Sequence, residues 1–192
     1  MIKYEKKYFF IFISVLILIL IGFNKANTTN IKKYLNNGTR IDTHAKNFMP
    51  AIVDLPKYQD ISYKYNHVPR IFFETDTITL VVKYDEETYK KEKENLTEKY
   101  RFLDHKVVSD FDVSEYYIPE YEFSINDYDF KVADGNDNYE TIYPKSFGMI
   151  GISDKKKSIA YLYFYDYDLD YIQKDNKNPM VDFVKKYFKY DF

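Results

Sequence analysis

Hydrophobic and polar positions alternate with a period of two through much of the chain after residue 60. Such alternation is typical of β-strands that bury one face and expose the other. The clearest runs lie at residues 61–65, 78–84, 121–125 and 128–132. The two-residue connection Asn126–Asp127 predicts a hairpin between the last two runs. A second hairpin is predicted where the loop DKKK joins SFGMIGIS to SIAYLYFYD.

Two segments have the period of a helix instead. The first, at about residues 85–100, starts with Asp85 as a candidate N-cap, and has acidic residues in its first turn and a thin apolar stripe. The second, at about residues 178–190, starts with Asn178 and Pro179, which suit the cap and the first helical position. Its apolar face is strong enough to need a partner surface. That face consists of Met180, Phe183, Val184, Tyr187 and Phe188.

Antiparallel strands covered by one or two helices make an α+β domain. We therefore predict an antiparallel sheet of about six to seven strands, built from hairpins, within residues 59–192. Both predicted helices are expected to pack on this sheet. Residues 25–58 are polar and Asn-rich, with no clear period, and they are predicted to be a tether that leads into the domain.

The N-terminus has a different composition from the rest of the chain. Three lysines precede 17 uncharged and mostly apolar positions at residues 8–24. As a helix, these positions extend about 26 Å, which is close to a hydrocarbon core of about 30 Å. We predict a cytoplasmic tail at residues 1–7, a transmembrane signal anchor at residues 8–24, and an extracytoplasmic remainder. A cleaved signal peptide is the alternative, although the residues before Ala26 suit cleavage poorly.

Composition excludes several kinds of chemistry. The chain has 22 tyrosines and 16 phenylalanines but no tryptophan and no cysteine. The lack of cysteine excludes disulfides, thiolate metal sites and a cysteine nucleophile. A net charge of −2 argues against a general nucleic-acid-binding protein, which needs a basic surface. The sequence also has no glycine-rich nucleotide-binding loop, so no cofactor is expected.

Two longer runs carry a resemblance to known proteins. TLVVKYDEETYKKEKENLTEKY and GMIGISDKKKSIAYLYFYDYDLDYI resemble segments of a group of small exported, lipoprotein-like proteins of low-GC Gram-positive bacteria. The resemblance covers roughly residues 48–175. It implies an exported α+β domain, and because the group has no assigned activity, it implies no function. Lipoprotein-like members would be anchored through a cysteine, whereas this chain has only its hydrophobic N-terminus.

Asp166, Asp168 and Asp170 have the D-x-D-x-D spacing that opens a calcium loop. An EF-hand needs Gly at the sixth loop position and Glu at the twelfth, where this chain has Tyr171 and Lys177. The motif is therefore not an EF-hand, and a non-standard calcium site on these aspartates remains as a hypothesis. The alternative is that they cap the turn or helix that follows a strand.

Tyr161, Tyr163, Tyr165 and Tyr167 fall on one face of a predicted strand, opposite Ala160, Leu162 and Phe164. A tyrosine combines a large apolar ring with a polar tip and is common at interfaces. This row is therefore a candidate surface for a protein or glycan partner. Ordinary packing beneath a covering layer is the alternative.

The histidines His44, His67 and His105 are too widely spaced to suggest a zinc site. We expect a non-enzymatic binding or interaction module of the cell envelope, with an envelope protein or a glycan as its partner. One alternative is an envelope hydrolase, in which two carboxylates, or a carboxylate with His67 or His105, share a pocket. Another is an immunity-type or regulatory protein that binds a second protein.

Overall fold

A computed structural model of the chain describes residue 8 and residues 27–36, 38–69, 74–108, 116–134, 145–166, 172 and 177–192. The predicted cytoplasmic tail and, apart from Tyr8, the predicted transmembrane anchor lie outside these residues. Within the described residues, no helix combines the length and the apolar character needed to cross a bilayer.

The described residues form nine strands, seven of which make one antiparallel sheet. Its order is β1-β2-β9-β8-β7-β3, and β6 pairs with the same strand β7 as β3 does. The remaining two, β4 and β5, form a small separate ribbon. The strands are β1 Asp60–Pro69, β2 Glu74–Lys83, β3 Arg101–Phe102, β4 Val107–Val108, β5 Tyr116–Ile118, β6 Glu122–Ile125, β7 Tyr128–Asp134, β8 Lys145–Ser153 and β9 Ser158–Asp166.

This architecture confirms the predicted α+β class and the antiparallel sheet of six to seven strands. The β6–β7 hairpin turns at Asn126–Asp127, where Asn126 has a positive φ of 51° that asparagine tolerates better than most residues. The β8–β9 hairpin turns at the predicted lysine-rich loop. In both hairpins, the turn residues and the alternation of apolar and polar positions are consistent with the same strand register.

Among the described residues, three α-helices cover the sheet: α1 Arg40–Ala45, α2 Glu86–Lys99 and α3 Pro179–Phe188. The predicted helices at 85–100 and 178–190 correspond to α2 and α3, and Asp85 caps α2 by accepting a hydrogen bond from the Thr88 amide at 2.9 Å. The short α1 was not predicted. It begins with a capping box, in which Thr39 and Asp42 accept hydrogen bonds from each other's backbone amides.

One side of the sheet, the phenylalanine face, is covered by α3. Its buried side chains include Phe130, Phe147, Met149, Leu162 and Phe164. The apolar stripe predicted for α3 is buried against this face, with Phe183 at a ring-centroid distance of 4.8 Å from Phe164. The strong amphipathic helix thus has the partner surface that its sequence required.

The opposite side, the tyrosine face, buries five tyrosines of β1 and β9 together with aliphatic side chains of β2, β8 and β9. The tyrosines are Tyr63, Tyr65, Tyr161, Tyr163 and Tyr165. This face is covered by α2 and by residues 28–55, which we call the N-terminal layer. This layer consists of α1, two 3₁₀ turns and the connections between them.

The N-terminal layer corrects the prediction of a tether at residues 25–58. Ile41 and Ala45 are fully buried, Met49 is 3% exposed, and Thr28 makes an isolated bridge with β1. The segment has few apolar residues, and they follow no helical or strand period. Ile41, Ala45 and Met49 nevertheless pack in the buried cluster of the tyrosine face, so the folded domain extends well before residue 59.

Candidate functional site

A pocket of about 480 Å³ lies between the N-terminal layer and the strands β1 and β2. One wall comes from the N-terminal layer and includes Lys33, Asn36, Thr39 and Arg40. The other wall and the floor come from the strands and comprise Tyr63, Tyr65, His67, Glu74 and Asp76. The volume lies in the range of about 300–1,000 Å³ that is usual for small-molecule sites.

A buried carboxylate organises the strand side of this pocket. Asp76 is 3% exposed, and its Oδ1 accepts a hydrogen bond from the Tyr65 hydroxyl at 2.6 Å. The same oxygen lies 2.8 Å from Nδ1 of His67. The β1–β2 register places His67 directly opposite Asp76 and places Tyr65 two residues away along β1. Cross-strand neighbours of this kind are close enough to interact.

This arrangement orients the imidazole of His67. A carboxylate acceptor at Nδ1 favours the tautomer in which Nδ1 carries the proton, which leaves Nε2 as an acceptor. The side chain is 13% exposed, and Nε2 has no hydrogen-bond partner among the residues that the structure describes. Burial raises the pKa of Tyr65, and the neighbouring Asp76 raises it further, so Tyr65 remains a neutral donor to the carboxylate.

Opposite charges face each other across the pocket. Arg40 on α1 forms a salt bridge with Glu74 on β2 at 2.8 Å. Arg40 also hydrogen-bonds to Tyr165, and Glu74 is the main cause of the raised pKa of Arg40. The N-terminal layer contributes the cations of the lining, and the strands contribute its carboxylates.

Of the three aspartates predicted from the sequence as a metal site, the structure describes Asp166 alone, so that site stays a prediction. Asp166 is 2% exposed at the end of β9, where its carboxylate accepts a hydrogen bond from the Thr75 hydroxyl on the paired strand. Asp168 and Asp170 lie outside the described residues. Within those residues, no group of three histidine, aspartate or glutamate side chains is placed to hold a metal ion.

Three of the four tyrosines predicted as a partner surface lie inside the fold. Tyr161, Tyr163 and Tyr165 are 2%, 2% and 3% exposed, while Tyr167 lies outside the described residues. The face that they form is closed because the N-terminal layer packs over it, so packing is the reading that the geometry favours for these three. Tyr165 alone reaches the edge of the pocket, through its hydrogen bond with Arg40.

The three histidines have separate environments. His44 stacks on Tyr165 at a ring-centroid distance of 4.7 Å, and His105 lies beside Asp104 on the surface. His67 is the one that shares a pocket with carboxylates. Sequence reasoning named His67 with an unspecified acidic partner and missed Asp76. Pairing of β1 with β2 as a hairpin would have predicted the contact between His67 and Asp76. Residues 70–73, which connect these strands, contain none of the Gly, Asn or Asp residues that mark a hairpin, so the pairing was not predicted.

Comparisons with protein-family models, with curated proteins and with solved structures found no match to this chain. The resemblance to exported, lipoprotein-like proteins therefore remains a prediction from the sequence. Any functional conclusion depends on the pocket itself.

Proposed function

We propose that this protein is a binding module that takes a small polar ligand in the pocket between the N-terminal layer and the strands β1 and β2. The observation that carries the proposal is the hydrogen-bonded set of Asp76, His67 and Tyr65 at the base of a pocket of about 480 Å³. A few convergent polar groups in a concave site are what fixes a small ligand in place. Since the sequence predicts an exported domain, the ligand is expected to be one that is met in the cell envelope.

The N-terminal layer and the strands each form one side of the pocket, so ligand binding should be measurable as an increase in the free energy of unfolding. A ligand that contacts both Arg40 and His67 links the N-terminal layer to the strands. Any compound that binds the folded state but not the unfolded state raises the free energy of unfolding. At a concentration one hundred times its Kd, the gain is about 2.7 kcal/mol.

The test is a thermal-shift screen of the full-length protein in detergent against amino acids, sugars, nucleosides and organic acids. We expect at least one class to raise the melting temperature of the wild type and to lose this effect in Asp76→Asn. Lys155→Met, far along the chain on the β8–β9 loop, is the matched control and should respond like the wild type. A ligand effect that Asp76→Asn retains in full would contradict the proposal.

A hydrolytic function is a second candidate, and the Asp76–His67 pair is the observation that favours it. A carboxylate that holds Nδ1 leaves Nε2 able to take a proton from a water molecule in the pocket. Lys33 and Arg40 line the same pocket and could stabilise a developing negative charge.

This second candidate is tested with p-nitrophenyl acetate as a general ester substrate. If His67 is a general base, His67→Gln should lower the hydrolysis rate by about 10²-fold or more, whereas His105→Gln on the surface should not change it. Equal rates for the wild type and His67→Gln would exclude a hydrolytic role for this pair toward esters.

A further inference from the structure

The distribution of charge in the pocket specifies the ligand more narrowly than the proposed function does. The wall from the N-terminal layer has Lys33 and Arg40, together with the neutral donors Asn36 and Thr39. The only carboxylate on α1, Asp42, does not line this wall. It is 2% exposed and accepts the backbone N–H of Thr39 at 3.0 Å. A ligand group that meets this wall therefore needs to be anionic.

The wall from the strands has the opposite character. Its charged groups are the carboxylates of Glu74 and Asp76, and His67 adds an imidazole whose Nε2 accepts a hydrogen bond in the tautomer that carries its proton on Nδ1. These three groups accept hydrogen bonds and favour positive charge. An ammonium group has three donors and no acceptor, so it complements this wall well.

The two walls balance each other in formal charge. Arg40 and Glu74 join them through their salt bridge, and Lys33 on one wall and Asp76 on the other add one further charge to each side. A purely anionic ligand would meet Glu74 and Asp76, and a purely cationic one would meet Lys33 and Arg40. An uncharged ligand would replace the water around these charges only with neutral hydrogen-bonding groups, which bind a charged side chain less strongly than an opposite charge does.

We infer that the ligand is a zwitterion, namely a free amino acid or a short peptide with both termini unblocked. This inference rests on the proposed binding function. The carboxylate of the ligand is held by Lys33 and Arg40, and its ammonium group is held by Glu74 and by Nε2 of His67. The volume of about 480 Å³ suits a molecule of this size.

The inference is tested by calorimetric titration of the full-length protein in detergent with the twenty amino acids and with alanyl-alanine. The best zwitterionic probe is then compared with its N-acetyl form, which lacks the cation, and with its C-terminal amide, which lacks the anion. Each blocked form removes charge-assisted hydrogen bonds, so we expect each to bind about tenfold or more weakly than the free form.

Two single variants assign the two ends of the ligand. Lys33→Met should remove the preference for the free form over the amide, and Glu74→Gln should remove the preference for the free form over the N-acetyl form. Lys33 is exposed and Glu74 is partly exposed, so neither substitution is expected to prevent folding. Lys155→Met is the control and should retain both preferences.

The outcomes separate this inference from the proposal on which it rests. If a blocked form binds as tightly as the free one, or if only sugars, nucleosides or organic acids bind, the zwitterion inference is overturned while binding in the pocket stands. If none of these compounds binds or shifts the melting temperature, both are overturned. Tight zwitterion binding that neither Lys33→Met nor Glu74→Gln weakens would place the site elsewhere and also overturn the inference.

Discussion

On strand β9, Tyr161, Tyr163 and Tyr165 face the N-terminal layer, whereas Leu162 and Phe164 face α3. The two faces of one sheet therefore differ in chemistry at alternate residues of the same strand. The phenylalanine face is closed by a regular helix, and it is held mainly by ring contacts such as Phe147–Phe183 at 5.6 Å and Phe164–Phe183 at 4.8 Å. The helix satisfies most of its own backbone, and its last turn is bonded to the sheet through the Tyr187 carbonyl, which accepts from Asn66 at 2.6 Å and from Thr77 at 3.2 Å. The surface beneath the rest of α3 can therefore be apolar.

Beside α2, the tyrosine face is covered by the N-terminal layer, which has little regular structure. Such a layer leaves carbonyl groups without a partner in a helix or strand, and these need donors from elsewhere. Tyrosine supplies them: the Tyr34 hydroxyl donates to the Pro50 carbonyl at 2.7 Å, and Tyr100 donates to the Phe48 carbonyl at 2.8 Å. The comparison teaches that many tyrosines can be needed where an irregular layer covers a sheet, because their hydroxyls donate to the carbonyl groups of that layer. The pocket forms on the same face, at the edge of that layer.

The largest expected effect is unfolding at high pH, driven mainly by the buried tyrosines of the tyrosine face. Burial raises the pKa of all nine buried tyrosines in this cluster, which are Tyr34, Tyr63, Tyr65, Tyr84, Tyr89, Tyr100, Tyr161, Tyr163 and Tyr165. A phenol whose pKa in the folded state lies above its unfolded value of about 10 contributes stability in full below pH 10. That contribution is lost as the pH rises above 10.

The loss is about 1.4 kcal/mol per pH unit for each phenol that stays protonated in the folded state. About five such phenols bring a typical stability of 5 to 15 kcal/mol to zero between about pH 11 and pH 12. Absorbance at 295 nm should show exposed tyrosines ionising first with the circular dichroism unchanged, and then a cooperative step in both signals. Ionisation of all the tyrosines near pH 10 with the fold intact would contradict this account.

The next largest effect is expected on the phenylalanine face. Phe164 is fully buried, with Phe147, Phe183 and Tyr187 around it at ring-centroid distances of 5.4, 4.8 and 5.5 Å. Phe164→Ala removes a ring from a regular, close-packed interface that cannot easily collapse. We expect it to lower the free energy of unfolding by about 3–5 kcal/mol, as measured by denaturant unfolding.

The matched substitution is at the adjacent residue on the other face. Tyr163 is 2% exposed, but the ring above it, Phe48, is only half-buried and belongs to the irregular layer. Because Phe48 can move into the space, Tyr163→Ala should cost less than Phe164→Ala. An equal or larger loss for Tyr163→Ala would mean that the two faces are equally rigid, and the comparison would fail.

Sequence alone predicts the regular parts of this fold because their signals are periodic and local. The Asn126–Asp127 hairpin and the helix that starts at Pro179 each combine an apolar period with a suitable turn or cap residue. The N-terminal layer has no such signal. Tyr34 and Met49 are buried as isolated residues that belong to no periodic pattern. Their positions depend on the tyrosine face, which forms only when strands distant in the sequence pair.

The candidate site could not be predicted from the sequence for the same reason. His67 and Asp76 are nine positions apart, and their contact depends on the register of β1 with β2. Arg40 reaches Glu74 only because the N-terminal layer folds back over the sheet. The sequence could name a histidine and a carboxylate as candidate partners, but the choice of carboxylate is set by tertiary structure.

A smaller effect is expected from the two glycines of β8, because each leaves room for a phenylalanine on a different face. A Cβ on Gly148 would lie 2.4 Å from the Phe48 ring, and one on Gly151 would lie 2.3 Å from the Phe130 ring. Phe130 is 1% exposed and stacked on Phe123, so Gly151→Ala should lower the global stability by about 1–3 kcal/mol.

Gly148→Ala should act locally, because the half-buried Phe48 can swing outward and take part of the N-terminal layer with it. We expect a smaller loss in denaturant unfolding than for Gly151→Ala, together with faster proteolysis within residues 28–55. Limited digestion followed by mass spectrometry locates the cuts. If the two variants show the same cleavage pattern, the N-terminal layer is no easier to release than α3.

The smallest effect distinguishes tyrosines whose hydroxyl has a partner from those that contribute only a ring. The Tyr34 hydroxyl is bonded to the Pro50 carbonyl in a buried position, so Tyr34→Phe leaves that carbonyl without its donor. We expect a loss of about 1 kcal/mol or slightly more, seen as a lower melting temperature. Tyr84 is 1% exposed, and its hydroxyl has no hydrogen-bond partner among the described residues.

Tyr84→Phe should therefore be neutral or slightly stabilising, because it removes a buried hydroxyl that has no hydrogen-bond partner among the described residues. The two substitutions delete the same atom from the same cluster, so the difference between them isolates the hydrogen bond that the Tyr34 hydroxyl makes to the Pro50 carbonyl within the N-terminal layer. If Tyr84→Phe costs as much as Tyr34→Phe, hydroxyl bonds to the layer are not what distinguishes this face. The tyrosines would then stabilise the tyrosine face through ring packing alone, as the phenylalanines stabilise the phenylalanine face.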